Sequence, residues 1–244
     1  MFDNILIKTP EQIEGIRAAC RDAALVLDYI EPFVKAGVTT EYLDDLMLRY
    51  TEDVLKDKSA CLNYDPDGTN PYPKATCISV NHQICHGIPN EKVLKNGDIL
   101  NIDVTVIKNG YYGDTSRMYS VGHISVAAKH LINVTFDSMW KGIEIVRPGA
   151  HFGDIGYAIQ HFVEPQGCSV VREFCGHGVG VGFHEDLPLR QARHRRCHEA
   201  RHDLHDRADD QRRKKRTSHS SERLDGCNQR QKSFRPVGTY DSRH

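Results

Sequence analysis

The sequence predicts an α+β fold built from two similar halves, and three features carry that prediction. GDILNIDVTVIKNGYYGDTSRMYSVG (97–122) places β-branched residues on two arms about Asn109-Gly110, a pair suited to a two-residue hairpin turn. IEPFVKAGVTTEYLDDLMLRY, from Ile30, and IEIVRPGAHFGDIGYAIQHF, from Ile143, share one order: helix end, loop with glycine, second helix. CHGIP (85–89) is echoed by CGHGVG (175–180). The halves lie about 110 residues apart, as internal pseudo-symmetry requires. A second hairpin is then expected after Asp186, where no such pattern is written.

Thr9-Pro10-Glu11-Gln12 reads as a helix start, with Thr as cap, Pro in the first turn and Gln12 closing a capping box. Ile13, Ile16, Ala19, Ala23, Leu27 and Ile30 then mark one apolar face, and Pro32 helps stop the helix. Thr39 or Thr40 caps a second helix that turns Leu43, Leu46, Met47 and Tyr50 inward. Residues 75–89 read as strand and turn, before the hairpin. A long helix spans about Ser125 to Ile145, and another surrounds Asp154–Val163.

The 244 residues divide sharply by charge. Residues 1–186 hold 16 Lys/Arg against 25 Asp/Glu, a balance of −9; residues 187–244 hold 16 against 8, a balance of +8. The first segment reads as the folded domain and the second as a disordered basic tail. The start, MFDNILIKTPEQ, lacks the pattern of a signal peptide, and no apolar run is long enough to span a bilayer. The eight Cys form no C-x-x-C pair. A reduced, cytoplasmic protein is expected.

Asp103 lies mid-strand in an apolar arm, where a carboxylate is costly unless paired or bound to metal. With Asn109-Gly110 as the loop, it faces Ser116 and has Asp114 as diagonal neighbour on the same face. A divalent cation would relieve the repulsion between two such charges. Two surface acids at a solvated hairpin end are the plain alternative, which the apolar run Ile99–Val106 opposes. His177, framed by glycines, can approach a metal without obstruction, and His184 seven residues on can reach the same cavity. His86 in CHGIP is a similar candidate; a structural turn histidine is the alternative.

CISVNHQICHGIP, GDILNIDVTVIKNGYYGDTSRM and FCGHGVGVGFHED, in that order, resemble the type I methionine aminopeptidases. The resemblance runs from about residue 5 to residue 186, roughly three quarters of the chain. It implies the pita-bread (creatinase/aminopeptidase-like) fold with its internal pseudo-two-fold repeat, incomplete here at the C-terminus. It also implies two divalent ions (Co, Mn, Fe or Zn) held by two Asp, one His and two Glu, and removal of the initiator Met from nascent proteins. Carried over by motif, Asp103, Asp114 and His177 are the implied metal ligands. His86 and His184 are the implied substrate-contacting catalytic histidines. Cys61, Tyr64 and Phe183 are the implied walls of the methionine pocket, although NYDPDGTNPYPK exceeds the usual pocket loop and leaves Tyr64 open. The implied setting is a monomer in the cytoplasm near the ribosome, acting on N-terminal Met, without membrane. Two rivals are a proline-specific aminopeptidase or creatinase relative, which would carry a large further N-terminal domain, and a non-catalytic protein with a nucleic-acid-binding tail.

The glutamates of the resemblance belong to stretches like TIEPMIN and SAQWEHT, and neither is written here. Reading the tail's codons one nucleotide later changes that. His202-Asp203 must then supply Met or Thr, Arg207-Ala208 permits Glu, and Ala208-Asp209 permits Pro. The same shift permits KPGMIYTIEPMIN across Glu199–Arg212 and NGWTAVTKDKSLSAQWEHT from Glu222. The tail is read as an out-of-frame translation whose slip falls between Glu185 and Ala192. DDQRRKKR (209–216) as a nucleic-acid arm, or His194, His198, His202 and His205 with Cys197 as a metal site, each explain only part of it. As written, the chain would hold at most one metal, weakly. Resequencing the gene across codons 184–202 should find one base gained or lost; an intact frame there would overturn this reading.

Overall fold

The computed structural model describes residues 7–172, 174 and 176–183. The tail 187–244 and the expected place of a second hairpin lie outside these residues. Helix α1 (Pro10–Ile30) starts as expected: Thr9 Oγ1 accepts from Gln12 N at 3.2 Å, and Gln12 Oε1 accepts from Thr9 N at 2.9 Å. Ala19, Ala23, Leu27 and Ile30 are buried, joined by Val26, which widens the stripe. Ile13 is 43% exposed instead of inward. Tyr111 at the hairpin tip already lies against Gly15, so the helix overruns the sheet at Ile13. A short 3-10 turn at Glu31–Phe33 ends α1, and Thr39 caps α2 (Thr40–Arg49), whose Leu43 and Met47 are fully buried.

Four antiparallel strands form the sheet: β1 (Lys58–Ser59), β2 (Cys77–Val80), β3 (Ile99–Lys108) and β4 (Tyr111–Ser120). The β3–β4 register runs from Ile99↔Ser120 to Lys108↔Tyr111, leaving Asn109 (φ 51°) and Gly110 (φ 84°) as the turn. β1 and β2 lie end to end on the other edge of β3, pairing Ser59↔Val106 and Cys77↔Asp103. Period-2 alternation gives the sheet two characters. Leu100, Ile102, Val104 and Val106 are buried in the cluster with α1 and α2. Asn101, Asp103 and Thr105 take the opposite face.

Helix and sheet meet closely at Gly113 on β4, where a Cβ would lie 2.2 Å from the Ala19 carbonyl carbon. Tyr119 locks the same interface, its hydroxyl donating to Leu27 O at 2.7 Å. Asp44 of α2 is buried and accepts from Thr76 N (2.8 Å), Thr76 Oγ1 (2.7 Å) and Ala75 N (3.3 Å), which fixes the entry into β2. Burial raises its pKa, opposed by these hydrogen bonds. In the second half, α3 (Val126–Glu144, capped by Ser125) and α4 (Phe152–Val163) pack on each other around Val134, Val163 and Cys168. Among the described residues no helix is long and apolar enough to cross a membrane.

Gly113→Ala should cost about 2–3 kcal/mol, because α1 must move off the sheet to admit the methyl group. Chemical denaturation reads this directly, and an unchanged midpoint would contradict the close approach.

Candidate functional site

The hairpin sets the first two side chains of the site. Asp103 faces Ser116 across the ladder, and Asp114 faces Thr105, so the two acids are diagonal neighbours on the face turned away from α1. The Asp103 carboxyl is pushed from 3.8 to about 7, by burial first and then by the charge and hydrogen bond of Asp114; His177 opposes the shift.

Backbone pairing carries the 176–183 segment to this face: Tyr112 N–H donates to Gly180 O at 2.7 Å. It delivers His177, whose Nε2 stands 3.9 Å from Asp114 Oδ2. His177 Nδ1 lies 3.0 Å from the Gly178 carbonyl, which can only accept, so Nδ1 carries a proton and Nε2 is the nitrogen turned toward Asp114.

His86 enters from a turn seated on β2. Ile78 N–H donates to Gly87 O at 2.8 Å, Gly87 N–H donates to Ser79 Oγ at 3.0 Å, and a Cβ on Gly87 would strike Ile78 O at 2.3 Å. His86 itself takes φ 56° and packs edge-on to Phe174 at 5.7 Å. Burial, then the nearby His177, lower its pKa, so it stays neutral near pH 7.

Phe183 sits between two tyrosines, edge-on to Tyr64 at 4.7 Å and stacked on Tyr112 at 5.9 Å. Cys61 is buried beside Cys77, near enough to Asp103 and Asp114 for their charges to help raise its thiol. Asp103, Asp114, His177, His86, Cys61, Tyr64 and Phe183 thus gather around one face of the sheet. His184 lies outside the described residues. Tyr112 and Cys77 were not anticipated. Tyr112 stands two residues before Asp114 on one strand, so strand parity alone points to it. Cys77 becomes visible only through its pairing with Asp103.

Two carboxylates and an imidazole suit a hard or borderline divalent cation. Among the described residues, however, no three His, Cys, Asp or Glu side chains converge as a complete metal site. The acidic pair therefore fits one edge of such a site and leaves the rest to other donors.

The chain belongs to metallopeptidase family M24, which it matches over residues 14–210. It is 51% identical to the methionine aminopeptidase of Escherichia coli strain K12 over 183 residues, covering 75% of this chain and 67% of that one. It is likewise similar to the crystal structure of methionine aminopeptidase from Rickettsia prowazekii, at 52% identity and TM-score 0.72, over 75% of this chain and 71% of that one. The X-Pro aminopeptidase of Thermotoga maritima aligns at TM-score 0.61 with 20% identity, over 74% of this chain and 49% of that one, a likeness of fold alone. The architecture is the pita-bread fold.

Asp103→Asn should flatten the pH dependence of stability in metal-free protein. Native Asp103 holds its proton up to about pH 7 while the unfolded residue releases it near 3.8, so the native state binds more protons between those values. Stability contributed there is present at low pH and lost as pH rises through 7. Thermal melts from pH 5 to 8 in a chelator should show the wild type losing ground to the variant; parallel curves would contradict it.

Proposed function

We propose that this domain is built to remove N-terminal methionine from nascent polypeptides, with Asp103, Asp114 and His177 as its metal-holding residues. The acidic pair on the open sheet face, in a chain 51% identical to a methionine aminopeptidase, carries the reading. Asp103 and Asp114 supply a pair of carboxyls, and His177 an imidazole. A divalent pair in such a site supplies an acidified water and a polarised carbonyl. His86, neutral at physiological pH, contacts the substrate, and His184 steadies the developing oxyanion. Cys61, Tyr64 and Phe183 wall the methionine side chain, with Tyr112 closing the aromatic stack. The setting that fits is a monomer in the cytoplasm, close to the ribosome, using Co, Mn, Fe or Zn.

The proposal has a second part. The two glutamates implied by the resemblance have no counterpart in residues 187–244 as written, because that tail is out of frame. The half-site that remains holds at most one ion, weakly, and leaves no carboxylate base for the water. The 183 residues matched to the Escherichia coli enzyme amount to three quarters of the chain, the same share the motifs cover, while the family match continues to residue 210.

Both parts are tested by assaying the chain as written, and a version with the tail restored by a one-base correction, on a Met-Ala peptide with each metal. The restored chain should turn over, and the written chain should fall at least about a thousandfold below it. Turnover by the written chain would sink the impairment. Failure of the restored, folded chain would sink the aminopeptidase reading.

A further inference from the structure

Cys61 and Cys77 meet where a long loop closes on itself. β1 and β2 share one edge of β3, so the chain leaves that edge after Ser59 and rejoins it at Cys77. Ala60 N–H donates to Thr105 O at 2.9 Å, and Cys77 stands opposite Asp103, so the two exit points are neighbours on β3. Ser59 Oγ ties the neck, donating to Ala75 O at 2.7 Å and accepting from Cys61 N at 3.1 Å and Leu62 N at 3.2 Å. Asp44 holds the other side through Ala75 and Thr76. The Cys61 and Cys77 thiols lie close enough for each to shift the other's pKa, Cys61 upward and Cys77 downward, and each residue is 8% exposed. Between them run residues 62–76, with Tyr64 on the site and the Tyr72 hydroxyl donating to Thr76 O and Gly87 O.

We propose that Cys61 and Cys77 form an oxidisable dithiol that closes to a disulfide when the protein meets hydrogen peroxide, locking the 62–76 loop against the sheet. One sulfur attacks a peroxide oxygen and breaks the O–O bond, giving a sulfenic acid and water. The second sulfur then attacks the sulfenic sulfur, forms the S–S bond and releases a second water. Both thiol protons end in water, the sulfurs lose two electrons, and the peroxide gains them. Both residues stand at neighbouring points on one edge of β3, and hydrogen peroxide is small enough to reach a thiol that is only slightly exposed. The step needs no metal and does not rest on the aminopeptidase reading.

The test uses the full chain, treated with hydrogen peroxide, alkylated under denaturing conditions and cut with trypsin. Cleavage after Lys58, Lys74 and Lys92 separates peptide 59–74, with Cys61, from peptide 75–92, with Cys77 and Cys85. The expected product is these two peptides joined, and separated again by dithiothreitol. The link should persist in Cys85→Ser and vanish in Cys77→Ser. Cys61→Ser should stop at a Cys77 sulfenic acid that dimedone traps. Denaturing the chain in guanidinium before peroxide should slow the link roughly tenfold or more, since only the fold holds the sulfurs together. Separate alkylated peptides after peroxide, a link surviving Cys77→Ser, or equal rates in folded and denatured chain would each overturn the proposal.

Discussion

The two-residue turn at Asn109-Gly110 governs the geometry of the molecule. Both residues take positive φ, which fixes the loop at two residues and sets every pair of the β3–β4 ladder. Because side chains alternate, that one register settles two matters together. It sends Leu100, Ile102, Val104 and Val106 under α1 and leaves Asp103 and Asp114 on the open face. A slip of one residue in either strand would drive a carboxylate into the apolar interface or strip Gly113 from its contact with Ala19. Core and site are two faces of one constraint.

The hairpin carries two acidic arrangements that resolve their repulsion differently. Near the tip, Lys108 reaches Asp22 on α1 at 2.5 Å and Asp57 just before β1 at 3.3 Å. Even with that cation, burial and the neighbouring Asp22 push Asp57 up to about 6, and its Oδ2 has no hydrogen-bond partner among the described residues. Mid-hairpin, Asp114 has the His177 imidazole beside it and no Lys or Arg among the described ion pairs, and Asp103 rises further, to about 7. The first cluster brings its own cation as a structural tie. The second gathers two carboxyls beside an imidazole, an arrangement a divalent ion would relax.

Local chemistry was readable in the sequence wherever neighbours in the chain are also neighbours in space. The Thr9 capping box and the Asn109-Gly110 turn both concern residues within four positions of one another, and each stands as expected. Asp103, Asp114, His177 and His86 were legible because polar residues in apolar or glycine-rich runs are costly without a purpose. Ile13 misled because helical periodicity says which face is apolar but not where the sheet beneath it ends. Asp44 was invisible, since its partners lie more than thirty positions away. The Cys61–Cys77 contact was hidden for the same reason: two strands sharing one edge of a third leave no trace in local spacing.

The halves also differ in how far their helices are covered. In the first, α1 lies on a hairpin, and its apolar stripe joins a large cluster with strands β2 and β3. In the second, α3 and α4 share only a small cluster, and Phe136 and Trp140 on α3 stay 57% and 48% exposed among the described residues. In a two-fold repeat, the hairpin equivalent to β3–β4 is what such a helix pair covers. The asymmetry falls on function as well as on stability. Asp103, Asp114 and His86 stand on the well-covered half, and His177 is delivered to it by the Tyr112–Gly180 backbone bond. The half-site is thus built on the part of the chain with the most buried apolar surface, so its geometry can persist whatever covers α3 and α4.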